Sequence, residues 1–192
     1  MMKSKVFDFN LDTGKLPESV QPALKRPLSK IKDIFYDTAA AEDLLQKGDP
    51  VVYEFYDLGI PETAEDLAFG TSILYPGTVG DEFHMTKGHF HTLLETAEIY
   101  YCLKGFGMMM MESPEGDVEY QLMKPGQAVY VPGRYAHRSI NVSAEETLIT
   151  FFTFRADAGH DYGTIEEKGF KKLVVKDGES WKIIDNPHWV DK

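Results

Sequence analysis

The stretch that decides the fold is residues 87–105, KGHFHTLLETAEIYYCLKG. His89 and His91 are one residue apart, Glu98 opens a run of β-branched and aromatic residues, and Gly105 ends that run. Residues i and i+2 of a strand point to the same face, so the two imidazoles can reach one ion. Imidazole suits borderline divalent metals such as Zn, Fe, Ni and Co. The stretch therefore predicts a metal site carried on β-strands.

The chain from residue 50 onward has the sequence pattern of an all-β protein. About eight short runs rich in β-branched and aromatic residues are separated by turn signals, among them Pro76-Gly77 and Pro125-Gly126. The tail, FKKLVVKDGESWKIID, predicts a final hairpin around Asp177-Gly178. Turn signals at such short intervals favour one antiparallel barrel or sandwich.

The first 48 residues have a different character. Pro17, Pro22 and Pro27 indicate an extended arm with turns, and TAAAEDLLQK, residues 38–47, predicts a helix with Asp37 as its N-cap. We therefore expect residues 1–48 to be an N-terminal arm and helix packed on a barrel formed by residues 49–192. The whole would be a single all-β domain with one or two short helices.

The composition excludes several classes of function. The 192 residues carry a net charge of −11, with no basic footprint for nucleic acid. An anionic ligand would be repelled by this overall charge and would need local cations. No apolar run has the length of a membrane span, and no signal peptide is visible. Cys102 is the only cysteine, so no intrachain disulfide can form, and a cytoplasmic location is the default expectation.

A second histidine segment follows the first by about 40 residues. PGQAVYVPGRYAHRSIN, residues 125–141, predicts strand, turn and strand, with His137 just past the turn. If two such hairpins face each other in a closed barrel, His89, His91, Glu98 and His137 converge. Three imidazoles and one carboxylate would bind a divalent ion and leave one or two coordination positions open.

These two segments resemble the paired motifs of the cupin superfamily, and the resemblance implies a jelly-roll-like antiparallel β-barrel. The second departs from the motif at Arg134, where a glycine is usual. In the first, the spacing from His91 favours Glu95 as the ligand, whereas the distance to Gly105 favours Glu98. We choose Glu98, because it also opens a clear strand, whereas Glu95 lies in TLLETA, which indicates a turn.

A closer resemblance extends over residues 49–190. DPVVYEFY, LYPGTVGDEFHMTKGHFH, AEIYYCLKG, SPEGD and ADAGHDYGTIEEKGF are similar to the archaeal cupin-type phosphoglucose isomerases. The resemblance implies a homodimeric enzyme of glycolysis and gluconeogenesis that interconverts glucose 6-phosphate and fructose 6-phosphate. It also implies one divalent metal ion per subunit, Fe²⁺ first, with Zn²⁺, Mn²⁺, Ni²⁺ or Co²⁺ as alternatives, on the four ligands named above.

The resemblance also implies a set of substrate contacts. These fall on Tyr53, Thr71 or Ser72, Thr86, Gly88, Tyr100, His160 and Tyr162. Lys87, beside Gly88, could supply part of the positive charge that a phosphate needs. Phe154 stands where the family can carry a tyrosine, so one hydroxyl contact is lost.

The catalytic roles stay open at this stage. Glu98 is the nearest base for a proton at C2, and Tyr100 or His160 would carry the hydroxyl proton. An enediol route and a direct hydride shift are both compatible with these residues. Two other functions fit the same motifs, a metal-dependent cupin oxygenase and a non-catalytic sugar- or metal-binding cupin. Isomerisation of another sugar phosphate, such as mannose 6-phosphate, is a further alternative.

Overall fold

The computed structural model describes residues 4–17 and 24–190. Two α-helices, α1 (Thr38–Lys47) and α2 (Gly163–Lys168), accompany the strands. Two short 3-10 turns, Leu28–Lys30 and Lys32–Ile34, precede α1. The strands are β1 (Leu24–Pro27), β2 (Val51–Asp57), β3 (Leu67–Leu74), β4 (Thr78–Val79), β5 (Glu82–Phe83), β6 (Glu98–Lys104), β7 (Gly107–Glu112), β8 (Val118–Met123), β9 (Ala128–Val131), β10 (Ala136–Asn141), β11 (Leu148–Arg155), β12 (Lys172–Asp177) and β13 (Ser180–Asp185).

The strands form three antiparallel sheets. The largest has the order β1-β2-β3-β11-β6-β9, and the others have the orders β10-β7-β8 and β13-β12-β5-β4. Isolated bridges link the segment after β5 to β10, joining Met85 to Ile140 and His89 to His137. These bridges therefore connect the segment that follows the sheet β13-β12-β5-β4 to the sheet β10-β7-β8. The antiparallel β fold predicted from the sequence is confirmed.

Strand register decides which side chains face the interior. Glu98 of β6 lies opposite Phe154 of β11, and Tyr100 lies opposite Phe152 two residues further along. Because alternate residues share a face, these four side chains line the same side of the sheet. Both members of each pair are at most 9% exposed, so they belong to the enclosed interior rather than to the outer surface.

The helix α1 and the final hairpin both form where the sequence predicts them. The Asp37 carboxylate accepts a hydrogen bond from the Ala40 N–H at 2.9 Å, which satisfies one of the free donors at the helix N-terminus. The hairpin pairs Asp177 with Ser180. Neither helix in the described part of the chain has the length and hydropathy of a membrane span.

Two features of the chain termini and loops differ from the sequence-based expectation. The end of the N-terminal arm forms β1, which pairs with β2 through contacts such as Arg26 with Tyr53. The position of the second short helix, α2, was not predicted, because six residues are too few to display a helical period. Pro22, which helped to define the predicted arm, lies outside the described residues.

Candidate active site

The four predicted metal ligands meet in the interior. Backbone hydrogen bonds in both directions join His89 to His137, with N–H to carbonyl distances of 3.3 and 3.1 Å. His91 follows on the same face as His89, and Glu98 reaches the group from the start of β6. One ligand atom from each side chain lies within 4.8 Å of the others. Two hairpins distant in sequence thus present one cluster of donors.

Backbone carbonyl groups orient two of the imidazoles. The Nδ1 atom of His91 lies 3.0 Å from the Thr96 carbonyl oxygen, and that of His137 lies 3.2 Å from the Tyr135 carbonyl oxygen. A carbonyl oxygen only accepts, so each Nδ1 carries the proton. The Nε2 atoms then face Oε2 of Glu98, at 3.2 Å from His91 and 2.9 Å from His137.

This arrangement fits a cation. An imidazole protonated on Nδ1 uses its Nε2 either to donate a proton to a carboxylate such as Glu98 or, when Nε2 is unprotonated, to offer a lone pair to a metal ion. A divalent ion bound by these atoms would take the place of the Nε2 protons, with the Nδ1 carbonyl contacts fixing the ring orientation. The Nε2 atom of His89 is buried and has no hydrogen-bond partner among the described residues, which leaves a third donor available.

Burial and neighbouring charges perturb the titration of the cluster. Desolvation, with the charges of His137, His160 and His91, holds the pKa of His89 well below its usual value of 6.5. Burial would raise the pKa of Glu98, but hydrogen bonds and charges from His137 and His91 outweigh it and lower that pKa to about 2. The cluster therefore keeps a neutral imidazole and an ionised carboxylate, which are the protonation states that bind metal.

Glu95, the alternative ligand by spacing, lies away from the cluster. Its side chain is 77% exposed and forms an ion pair with Arg134 at 3.2 Å. Arg134 has a φ of 74°, in the region that favours glycine, which accounts for the glycine usual at this position in cupins. The Arg134 guanidinium also forms an ion pair with Glu115 at 2.9 Å, in addition to the one with Glu95.

A pocket lined by three of the four candidate ligands adjoins the cluster. Of the residues named as substrate contacts, the following line it: Tyr53, Ser72, Thr86, Lys87, Gly88, Tyr100, His160 and Tyr162. The ligands His89, Glu98 and His137 form part of the same wall, as does Phe154. A small polar molecule in this pocket would therefore lie beside the candidate metal site.

Thr71 is the one proposed substrate contact that the structure places elsewhere. Its hydroxyl donates to the Gly14 carbonyl oxygen, and its side chain is fully buried. Thr71 and Ser72 are neighbours in β3, so they point to opposite faces of the sheet. Of the two alternatives only Ser72 faces the pocket, and Thr71 instead fastens residues 4–17 to the sheet.

The turn that precedes His89 is held by several contacts. The Thr86 hydroxyl accepts from the Ser139 N–H at 3.0 Å, and the Arg138 guanidinium donates to the Lys87 carbonyl at 2.8 Å. The Lys87 ammonium forms an ion pair with Glu166 of α2 and lies 4.8 Å from the centre of the Tyr162 ring. The positive charge expected of Lys87 is therefore largely neutralised.

Tyr100, His160 and Tyr162 also line the pocket. Burial, the Glu98 charge and a hydrogen bond to Glu98 raise the pKa of Tyr100 well above 10, so its hydroxyl stays protonated. Burial lowers the pKa of His160 from 6.5, so its imidazole is neutral at pH 7. The His160 and Tyr162 rings are stacked, with centroids 5.8 Å apart and planes 11° apart.

Sequence reasoning missed several residues of the pocket. Arg26, Phe55, Ser139 and Phe152 line it, although none of them was named as a site residue from the sequence. Strand parity with Phe154 would have predicted the inward position of Phe152. No signal in the sequence points to Arg26, because it lies in the proline-containing arm and enters the site only through the pairing of β1 with β2.

Antiparallel sheets that enclose three imidazoles and one carboxylate from two hairpins define the class of protein. The chain is a cupin with a candidate metal centre.

Comparisons with known proteins identify the family within that class. The family described as glucose-6-phosphate isomerase (GPI) matches residues 25–190. The glucose-6-phosphate isomerase of Thermococcus onnurineus is 48% identical over 180 residues, covering 94% of this chain and 93% of the relative. That of Pyrococcus furiosus is 47% identical, covering 94% of each chain, and that of Sinorhizobium medicae is 38% identical, covering 94% and 85%. The chain belongs to the glucose-6-phosphate isomerase family, and the family and enzyme class predicted from the sequence are confirmed.

Solved structures with similar coordinates share little sequence with this chain. Oxalate oxidase in complex with the substrate analogue glycolate is 13% identical, with a TM-score of 0.49. The match covers 62% of this chain and 58% of the oxalate oxidase chain.

Proposed function

We propose that this protein interconverts glucose 6-phosphate and fructose 6-phosphate with one divalent metal ion bound by His89, His91, Glu98 and His137. The observation that carries the proposal is the convergence of these four donors at a pocket lined by hydroxyl-bearing side chains. Relatives at 47–48% identity bear the name glucose-6-phosphate isomerase, which supports the same substrate here. Glycolysis and gluconeogenesis are the pathways in which this reaction would serve.

The donor set supports a borderline divalent ion, with Fe²⁺ as our first choice and Zn²⁺, Mn²⁺, Ni²⁺ or Co²⁺ as alternatives. When bound, such an ion would polarise the oxygens at C1 and C2 of the sugar. Neutral imidazoles keep most of the ion's charge available for this purpose.

The protein's own residues supply the proton chemistry in this proposal. Tyr100 keeps its proton, so its hydroxyl donates a hydrogen bond to Glu98 or to a sugar oxygen. Neutral His160 lies at the pocket and can accept a hydroxyl proton. Glu98, with a pKa of about 2, is a weak base, because proton transfer is most effective when the pKa lies near the working pH. His160 is therefore the better candidate for the hydroxyl proton, and Glu98 could act as the C2 base of the enediol route only if it loosened its hold on the metal ion.

A coupled assay on fructose 6-phosphate tests the proposal. Activity should be lost after complete metal removal and should return when Fe²⁺ or another of the named ions is added. Glu98→Gln should lose both bound metal and activity. Glu95→Gln is the matched control, because Glu95 is an exposed carboxylate three residues away and should leave both unchanged.

The alternatives give different results in the same assay. Activity that survives complete metal removal would disprove the metal dependence. Oxygen consumption without isomerisation would indicate a cupin oxygenase, and binding of sugar without turnover would indicate a non-catalytic cupin. Turnover of mannose 6-phosphate in place of fructose 6-phosphate would change the substrate but keep the reaction class.

Solvent isotope exchange separates the two routes. Deuterium from the solvent at C1 or C2 of the product would support the enediol route, in which a base holds the transferred proton. Complete retention of the original hydrogen would support a direct hydride shift.

We also propose a homodimer that works in the cytoplasm. Ile99 and Tyr101 of β6 and Tyr130 of β9 expose 42%, 40% and 62% of their surface on the outer face of the large sheet. Ile99 lies opposite Tyr130 in the strand register, so the apolar surface is continuous and would suit a second copy of the chain. Light scattering after size-exclusion chromatography should give twice the mass of 21.8 kDa, and a monomer mass for Tyr130→Glu would support this face.

A further inference from the structure

The pocket contains one cation that is not neutralised by a carboxylate. Of the residues that line it, Arg26 and Lys87 carry positive charge and Glu98 carries negative charge. Lys87 is paired with Glu166. Among residues 4–17 and 24–190, no carboxylate lies within ion-pair distance of the Arg26 guanidinium. Arg26 is therefore the positive charge still available to an anionic ligand in a chain of net charge −11.

Arg26 lies among aromatic hydroxyl groups. It is opposite Tyr53 in the pairing of β1 with β2, and its charge acts on the hydroxyls of both Tyr53 and Tyr162. These two tyrosines also line the pocket. A guanidinium flanked by phenolic hydroxyls offers a planar set of N–H donors with O–H donors beside it, which matches the oxygens of a phosphate.

The position of Arg26 along the strands places it away from the metal ligands. Strand β11 lies between β3 and β6, and its pairing aligns residues of the two. Ala68 of β3 is aligned with Glu98 because both pair with Phe154, and Gly70 is aligned with Tyr100 because both pair with Phe152. In the other direction, Ser72 pairs with Phe55, and Leu74 pairs with Tyr53, which faces Arg26. Register therefore places the backbone of Arg26 toward the other end of this face from Glu98, while the two side chains line one pocket and both act on the Tyr162 hydroxyl, which brings them into a single ligand site.

We propose that Arg26, delivered by the N-terminal arm, binds the phosphate of the sugar phosphate and fixes the direction in which the substrate enters the site. This inference rests on the proposed function. In a hexose 6-phosphate the phosphate is at the opposite end of the carbon chain from C1 and C2. With the reacting carbons at the metal ligands, the phosphate extends toward the level of Arg26. The arm thus has a role in substrate recognition as well as in packing.

Binding measurements with an unreactive analogue test this role. Glucitol 6-phosphate cannot isomerise, and glucitol is the same molecule without phosphate. We expect Arg26→Met to weaken glucitol 6-phosphate binding roughly 10- to 100-fold in calorimetric titration, the range for losing a charge-assisted hydrogen bond. Arg26→Lys should lie between the variant and the wild type, because it keeps the charge but loses the planar set of donors. Weak glucitol binding should be unchanged.

Kinetics and a matched variant complete the test. Arg26→Met should raise KM for fructose 6-phosphate much more than it lowers kcat, because the lost contact is distant from the reacting carbons. Arg155→Met is the control, because this substitution removes the same charge at a half-exposed arginine that pairs with Asp157. It should change neither value.

Two results would overturn the inference. Equal weakening of glucitol and glucitol 6-phosphate by Arg26→Met would show that Arg26 only holds the arm in place, and unchanged binding of both would show that it has no role. If Arg26→Met disrupts the pairing of β1, Arg26→Lys gives the deciding comparison. A wild-type protein that binds glucitol 6-phosphate but does not isomerise fructose 6-phosphate would refute the proposed function and leave the phosphate site standing.

Discussion

Gly88→Ala should damage the metal centre through the backbone, without removing any ligand. Gly88 directly precedes His89 and has a φ of 78°. An added Cβ would lie 2.6 Å from Cε2 and 3.0 Å from Cζ of the Phe170 ring, and 3.2 Å from Cβ of Arg138. The Phe170 ring and the Arg138 guanidinium are themselves stacked at 4.0 Å, so neither can move freely. The backbone at residue 88 must therefore shift, and His89 shifts with it.

The magnitude has two parts. An L-residue held in the left-handed region costs about 1–2 kcal/mol. Overpacking against a fixed ring costs about a further 1–3 kcal/mol. Gly178→Ala separates the two parts, because Gly178 has a φ of 62° and an added Cβ there meets nothing within 4 Å. Gly88→Ala should therefore be less stable than Gly178→Ala by about 1–3 kcal/mol.

Denaturant unfolding and metal titration measure these effects. Since a misplaced ligand weakens binding, we expect metal affinity to fall roughly 10- to 100-fold in Gly88→Ala and to be unchanged in Gly178→Ala. Isomerase activity at limiting metal should fall in parallel and recover in part with excess metal. Equal unfolding free energies for the two variants, together with equal metal affinities, would refute the proposed link between this turn and His89.

Three further predictions concern other buried polar groups. Burial raises the pKa of Glu82 from 4.5 to about 7. The folded carboxyl thus keeps its proton up to about pH 7, whereas the unfolded one loses it near 4.5. This difference in pKa corresponds to about 3 kcal/mol. The unfolding free energy of the wild type should therefore decline by up to that amount between pH 4.5 and 7, whereas that of Glu82→Gln should change less. Urea titrations at several pH values measure both. Lys168→Met should lower the unfolding free energy by about 3–5 kcal/mol, because the fully buried Glu112 then loses its ion-pair partner at 2.9 Å and keeps only the hydrogen bonds from the Lys171 N–H and the Trp189 Nε1–H; a loss below 1 kcal/mol would contradict this. Tyr100→Phe should lower kcat roughly 100-fold at unchanged metal content, and a normal kcat would remove the Tyr100 hydroxyl from the mechanism.

The sequence by itself determined the local parts of this protein. His89 and His91 share a face because the side-chain period of a strand is two, whatever the rest of the chain does. Asp37 and Gly48 bound the helix α1 through groups only a few residues away. Turn signals and β-branched runs indicated an antiparallel β fold. The sequence identified Glu98 rather than Glu95 as the candidate ligand, because Glu98 opens a strand and Glu95 lies before it.

Only the tertiary structure decided what depends on contacts between distant segments. Strand parity states that Thr71 and Ser72 point in opposite directions, but which one faces the pocket depends on how β3 is covered on each side. Lys87 resembles a free cation in sequence, yet Glu166, 79 residues later, neutralises it. Arg26 enters the site because β1 adds to the edge of the large sheet. Local periodicity is set by backbone geometry, whereas the choice of partners is set by the packing of the whole chain.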